Sequence, residues 1–224
     1  MSNTLSPTAK QAKAQRIAQV AWQLFEREAF TDISMAQIAR QASVAKGTLF
    51  NYYPTKESLF MTLLLTGYQR YFTTLNADLA KGPALTPPEL KARLLAETRT
   101  LITDHATLVR LNALRGPVLE GHADREQTRQ GRQDLYAANL ALGQTVAAKV
   151  SGLSVATASH LFVSQSAIIS GLMNLAGLER FNHTSLATDF PIFQIDLETE
   201  ACQTFGYYLD GILEEELHAN SKRS

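Results

Sequence analysis

Two short helical patterns, separated by only three residues, lie between Ser34 and Pro54 and restrict the fold more than any other stretch of the chain. Ser34-Met35-Ala36-Gln37 is a capping-box pattern, in which the Ser34 hydroxyl can accept from the third amide of a helix while Gln37 reaches back. The helix it opens carries Met35, Ile38, Ala39 and Ala42 as one apolar stripe. Ser43-Val44-Ala45 breaks that pattern, and a second short helix follows from Lys46 to Tyr52. Pro54 closes it, because the residue before a proline is pushed out of the helical region. Ahead of the pair, Ile17, Val20, Ala21, Leu24 and Phe25 recur at helical spacing, which predicts a longer bracing helix from about Lys10 to Ala29.

Helical periodicity continues beyond this region, and no hairpin dipeptides or strict period-two runs interrupt it. A long helix is expected from Thr55 to about Leu79, ahead of Gly82-Pro83. Thr86-Pro87-Pro88-Glu89 places a cap, an N1 proline and an N3 glutamate in order, so a helix starts there and reaches about His105. Another is expected from Thr107 to Leu119. Asp124, Ser154 and Asp196 are candidate caps for helices reaching about Val150, Leu178 and Leu217. Residues 179–195, with Phe181, Phe190, Pro191 and Phe193, read as a long packed connection. The expected fold is all-α, with about nine helices. An N-terminal three-helix helix-turn-helix domain takes residues 1–55, and a C-terminal helical domain for ligand binding and dimerisation takes 56–224.

Charge divides along the same line. Lys+Arg and Asp+Glu are 21 each, so the 224-residue chain is neutral overall. Residues 1–56 nevertheless hold seven Lys/Arg against three Asp/Glu, a net +4, and the remainder is −4. A basic end on an acidic body is the layout of a polyanion-binding module attached to something else. With 45% hydrophobic residues and only 12 Gly and 7 Pro, collagen-like and wholly disordered chains are excluded. The lone Cys202 cannot form an intrachain disulfide and reads as a small buried helix residue, with a redox sensor as the alternative. Met1 to Lys10 lacks an apolar core of signal-peptide length, which points to the cytoplasm.

From Val150 to Leu178 there is no Asp, Glu, Lys or Arg, a run long enough to cross a bilayer. Ser151, Ser154, Thr157, Ser159, His160, Ser164, Gln165, Ser166, Ser170 and Asn174 make it too polar for that, so no membrane association is expected. A helix without a charged face still favours burial all round. It reads as a dimer helix in which Ser166, Ala167, Ser170 and Gly171 allow close approach; a core helix of a single chain is the alternative.

Two short helices joined by a three-residue turn, with a brace before them, make a helix-turn-helix. Duplex recognition needs that shape, since one short helix must enter the major groove while the other crosses the backbone. The second helix presents free amides and a positive dipole end, with Lys46 adding charge. Gly47 permits close backbone approach, Thr48 and Asn51 are short hydrogen-bonding groups, and Tyr52 has a flat ring with a polar tip. Leu49 and Tyr53, four apart, are expected to face the brace, and Lys56 a backbone phosphate.

Residues 30–60 resemble the N-terminal DNA-binding domain of TetR-family transcriptional regulators. The matching residues are Phe30, Ser34, Ile38-Ala39, Ala42, Val44, Lys46-Gly47-Thr48-Leu49, Tyr52, Lys56-Glu57 and Leu59. The resemblance implies a homodimer on a near-palindromic operator, usually a repressor released when a small molecule enters the C-terminal domain. It implies roles for Ser34 as a cap that touches phosphate, for Lys46, Gly47, Thr48, Phe50, Asn51 and Tyr52 at the groove, and for Lys56 at a phosphate. Asn51 is the best candidate for base identity, because an amide can bond an adenine edge bidentately. Three positions depart from the family pattern. Ser43 replaces the turn glycine and must take an uncommon backbone angle or shift the turn. Ala45 replaces the capping serine, a loss of about 1 kcal/mol. Phe50 replaces the usual tyrosine and its hydroxyl.

Candidate effector-pocket residues mix aromatic and polar groups into apolar helices. They are Tyr68, Tyr71 and Phe72; Leu108, Leu111, Asn112 and Arg115; and Tyr136, Phe162, Gln165 and Met173. Arg115 and His122 would suit an anionic effector. Simple core filling is the competing explanation for each of them, and a DNA-binding protein without an effector, controlled by a protein partner or by abundance, is the competing function. Enzyme signatures are weak: Ser43-Val44-Ala45-Lys46 matches S-x-x-K with no S-D-N following. No cofactor or metal is expected, since the five histidines are scattered apart from the Glu214/His218 pair near a helix end. Asn182-His183-Thr184 is a glycosylation sequon that would be silent in cytosol.

Overall fold

A computed structural model describes residues 7–176 and 194–221. The 179–195 connection with its three phenylalanines, the Asn182 sequon and the side chain of His218 lie largely or wholly outside the described residues. Nine α-helices run among those that are described, with no strand. They are α1 (Pro7–Arg27), α2 (Met35–Gln41), α3 (Lys46–Tyr52), α4 (Lys56–Lys81), α5 (Pro87–Asp104), α6 (Ala106–Ala113), α7 (Arg125–Lys149), α8 (Val155–Ala176) and α9 (Leu197–Ser221).

The expected caps are in place. Ser34 and Gln37 form the reciprocal box at α2, with Gln37 N–H to Ser34 Oγ at 3.1 Å and Ser34 N–H to Gln37 Oε1 at 3.3 Å. Asp124, Ser154 and Asp196 accept from the amides of Gln127, Thr157 and Thr199 at the starts of α7, α8 and α9. One helix differs from expectation. The segment read as continuous from Thr107 to Leu119 ends at Ala113, and a single wide turn, Arg115–Leu119, follows. Pro117 is the reason: it has no N–H to continue the ladder and its ring would press on the carbonyl four residues back. The turn closes instead with Leu119 N–H to Leu114 O and Glu120 N–H to Arg115 O.

The chain forms two compact units. The first takes the described residues up to Leu65 together with Leu114–Arg132; the second takes Thr66–Ala113 and the described residues from Gln133 onward. Within the first, Ile17, Ala21, Leu24 and Phe25 of α1, Ile38 and Ala39 of α2, Leu49 of α3 and Leu59, Phe60 and Met61 of α4 are buried, and α2 packs on both α1 and α3. Phe25 and Phe30 both meet the Phe60 ring edge-on, at 5.5 and 5.1 Å between centroids. Such pairs contribute about 0.5–1.5 kcal/mol beyond the area they bury.

The second unit packs α8 and α9 on each other, with α6 against α8 and α5 against α9. Its core includes Leu90, Leu94, Leu101, Leu108, Leu111, Leu161, Phe162, Ile169, Phe205 and Leu209. By length and composition α8 could cross a membrane, yet several of its polar residues bond inside the unit. Gln165 donates to Thr98 Oγ1 at 2.8 Å, and both are buried. Asn112 Nδ2 donates to Ser166 Oγ at 2.8 Å and Ser170 Oγ at 2.7 Å. α7 comes so close to α8 at Gly143 that a Cβ there would stand 2.9 Å from the Ser159 backbone nitrogen.

Candidate nucleic-acid interface

The turn between α2 and α3 is fixed by the backbone. Ser43 takes φ 52°, the uncommon left-handed angle, one of the two outcomes expected where the turn glycine is missing. Ser43 N–H bonds Arg40 O at 3.2 Å and Val44 N–H bonds Ala39 O at 3.0 Å, the paired closure of a helix that ends on a left-handed residue. Ala45 then sits at the N-cap of α3 with extended angles (φ −64°, ψ 144°) and no side-chain cap. The first intrahelical bond runs from Leu49 N–H to Ala45 O, so the amides of Lys46, Gly47 and Thr48 precede the ladder.

α3 has two distinct faces. Leu49 is fully buried and Tyr53, just past the helix, is buried with its hydroxyl toward Ala14 O. Lys46, Gly47, Phe50 and Asn51 are exposed, and Thr48 and Tyr52 half-exposed between the two faces. Phe50 keeps 39% exposure, a large apolar ring facing outward, with the Lys46 ammonium 5.8 Å from its centroid. A Cβ at Gly47 would meet nothing within 4 Å. Nothing inside the unit therefore requires glycine there, which leaves room for an outside partner to approach the backbone.

Lys56, expected at a phosphate, makes contacts within its own unit. Its ammonium donates to Phe30 O at 2.7 Å and to Ile33 O at 2.9 Å, and lies 4.0 Å from the centre of the Phe30 ring. Desolvation lowers its pKa, against the opposing pull of Glu57 and Asp32. The lysine is turned inward onto the α1–α2 connection because carbonyls and an aromatic face within reach solvate it.

Sequence reasoning missed a set of residues far along the chain. Within the first unit, Ser58 Oγ accepts from Asp124 N–H at 2.7 Å, Thr55 Oγ1 donates to His122 O at 3.2 Å, and Gln127 Nε2 donates to Tyr52 O at 3.3 Å. These bonds hold the segment 122–127 to the junction of α3 and α4. Asp124 was visible only as a cap; nothing in the sequence announces partners more than sixty residues away.

The candidate pocket residues divide. Tyr68, Tyr71, Phe72 and Phe162 form a buried aromatic cluster in the second unit, with neighbouring centroids 5.7–5.9 Å apart. Leu108, Leu111, Asn112 and Gln165 are buried there and Met173 is half-buried. Arg115 and Tyr136 do not join them. Arg115 belongs to the first unit, where Glu120 takes its guanidinium at 3.2 Å. Tyr136 stands 69% exposed on α7. The four residues expected to allow close approach on α8 divide as well. Ser166 and Ser170 turn their hydroxyls to Asn112, while Val163, Ala167, Gly171 and Leu175, spaced by four, form an exposed uncharged stripe. Cys202 is buried near Leu95 O, and desolvation raises its thiol pKa.

Residues 17–63 match the family model for bacterial regulatory proteins of the tetR family, and residues 65–216 match that for the tetracyclin repressor-like C-terminal domain. The chain belongs to the TetR family of transcriptional regulators. This regulator is 30% identical over 70 residues to the helix-turn-helix type transcriptional regulator YuxN of Bacillus subtilis, covering 31% of the present chain and 24% of YuxN. It is 46% identical over 43 residues to MftR of Mycobacterium tuberculosis, a candidate mycofactocin biosynthesis transcriptional regulator, covering 19% and 22%. These matches span about a quarter of each relative. The regulator's fold is similar to that of FadR from Bacillus subtilis, a transcriptional regulator solved in complex with stearoyl-CoA, with TM-score 0.55 and 15% identity over 87% of this chain and 96% of that one. Members of the family bind operator DNA and act as dimers.

Proposed function

We propose that this regulator is a homodimeric repressor that inserts α3 of each subunit into successive major grooves of a near-palindromic operator and is released by a small molecule. The observation that carries the reading is the outward face of α3: Lys46, Gly47, Phe50 and Asn51 exposed together, ahead of uncapped amides, on a module of net charge +4. Lys46 and the amides suit phosphate, Thr48 and Tyr52 the groove wall, Ser34 a flanking phosphate through its free hydroxyl proton, and Asn51 a base edge. Phe50 suits sugar or a thymine methyl. Genomic fragments passed over the immobilised protein in dilute buffer, then footprinted, test this; no retained fragment would refute it.

Dimerisation is assigned to α8, through the stripe Val163, Ala167, Gly171 and Leu175, with Tyr207, 67% exposed, on the adjoining α9. The lever is α4, whose first residues belong to the DNA-binding unit and whose remainder enters the second. A ligand that favours a spacing of the two α3 helices other than about 34 Å would lower the bound population. Equal operator affinity with and without saturating ligand would refute the lever.

A second reading has its own support. Two polar groups expected to line a pocket bond side chains outside the expected set, Gln165 to Thr98 and Asn112 to Ser166 and Ser170. That favours a filled core and a regulator controlled by a protein partner or by abundance. A thermal-shift panel of metabolite classes separates the two, with stearoyl-CoA, the ligand of the FadR structure, as one member. A rise in melting temperature with one class supports the effector; no rise with any supports the alternative.

A further inference from the structure

We infer that Lys56 is a positioning residue: it fastens the α1–α2 connection to the first turn of α4 and acts on DNA binding through the placement of α2 and α3, without touching a phosphate. The inference rests on the DNA-binding reading above for its functional part only. Three groups from outside α4 converge on the ammonium: two backbone carbonyls at 2.7 and 2.9 Å and the Phe30 ring at 4.0 Å. Two of its three N–H bonds are used, and the ring covers a further side. A cation in the first turn of a helix opposes the helix dipole, so carbonyl acceptors are what make the position favourable. Both acceptors carry consequence. Phe30 also packs its ring on Phe60 of α4, and Ile33 directly precedes Ser34, the N-cap of α2. Holding the Ile33 carbonyl therefore fixes where α2 begins, and α2 with its three-residue turn fixes where α3 points.

Lys56 and Lys46 are separable by experiment. Lys46 is exposed on the outward face of α3, so Lys46→Met should lower the salt slope of binding by about 1. Lys56→Met should weaken binding about tenfold at every salt concentration with the slope unchanged. The duplex is the one retained by the wild-type protein in the genomic selection. In the free protein, Lys56→Met should speed hydrogen exchange of the Ile38 and Val44 amides, which bond Ser34 O and Ala39 O, by about tenfold. Phe30→Leu keeps the carbonyl but removes the ring, and should move exchange in the same direction by less. A slope reduced by about 1 with exchange unchanged would overturn the inference and return Lys56 to the phosphate contacts. Unaltered exchange in both variants would also overturn it. If the wild-type protein retains no duplex, the regulator reading fails, and the exchange result decides the latch by itself.

Discussion

Restoring glycine at position 43 offers a quantitative check on the turn that aims α3. Ser43 holds φ 52° with its side chain exposed, and its backbone makes the closing bond to Arg40 O. A non-glycine residue in the left-handed region costs about 1–2 kcal/mol. Glycine avoids that but loses about 0.5–1 kcal/mol more chain entropy on folding. Ser43→Gly should therefore stabilise the first unit by about 0.5–1 kcal/mol, while the backbone bonds that close the turn stay as they are. Ala45 has the extended angles of an N-cap and lacks only the hydroxyl, so Ala45→Ser should add about 1 kcal/mol. For a chain of this size each kcal/mol moves the melting midpoint by about 2–4 °C, so the double variant should gain roughly 3–8 °C. The single tryptophan, Trp22, lies half-buried on α1 in the same unit, and its emission follows that unit alone. Ser43→Val, with a branched side chain at the same angle, should lower the midpoint. If Ser43→Gly leaves the Trp22 transition unmoved while Ser43→Val does no harm, the left-handed turn is not what holds α2 to α3.

Other perturbations give equally definite outcomes. Gly143→Ala should destabilise the second unit by about 1–3 kcal/mol in urea titration, since its Cβ would stand 2.9 Å from a backbone nitrogen, whereas Gly206→Ala, with nearest atoms at 3.8–4.0 Å, should stabilise by roughly 0.5–1 kcal/mol. Burial and then Glu97 raise the Tyr71 pKa above its ordinary value of 10.0, so the folded state prefers the neutral phenol. The stability this brings is present below about pH 10 and lost as pH rises beyond it, and Tyr71→Phe should flatten that alkaline limb. The bonds of Glu89 to Thr86 N–H and O–H hold its carboxyl below 4.5, so that capping contribution is present above about pH 4.5 and lost on acidification; Glu89→Gln should remove the acid dependence. Ala167→Glu places a charge in the exposed stripe of α8 and should yield monomers in sedimentation at concentrations where the wild-type protein is dimeric.

The sequence alone determined whatever depends on neighbours a few residues apart. Capping patterns at Ser34, Asp124, Ser154 and Asp196, the three-residue break at Ser43, and the inward pair Leu49/Tyr53 are written in short-range spacing, because a helix satisfies its own backbone and repeats every 3.6 residues. The sequence narrowed Ser43 to a left-handed angle or a shifted turn, and the structure shows the angle. Tertiary structure decided which of several capable partners each polar group takes. Lys56 has many acceptors it could reach, and the nearness of Phe30 and Ile33 gives it their carbonyls within the unit. The Ser166 and Ser170 hydroxyls could bond any donor near α8, and Asn112, more than fifty residues away, is the one that reaches them. The attachment of segment 122–127 to Thr55, Ser58 and Tyr52 likewise has no local signature. A hydrogen-bonding side chain carries no record of its partner in its own chemistry; only the packing of helices brings one donor and one acceptor within about 3 Å and shuts the others out.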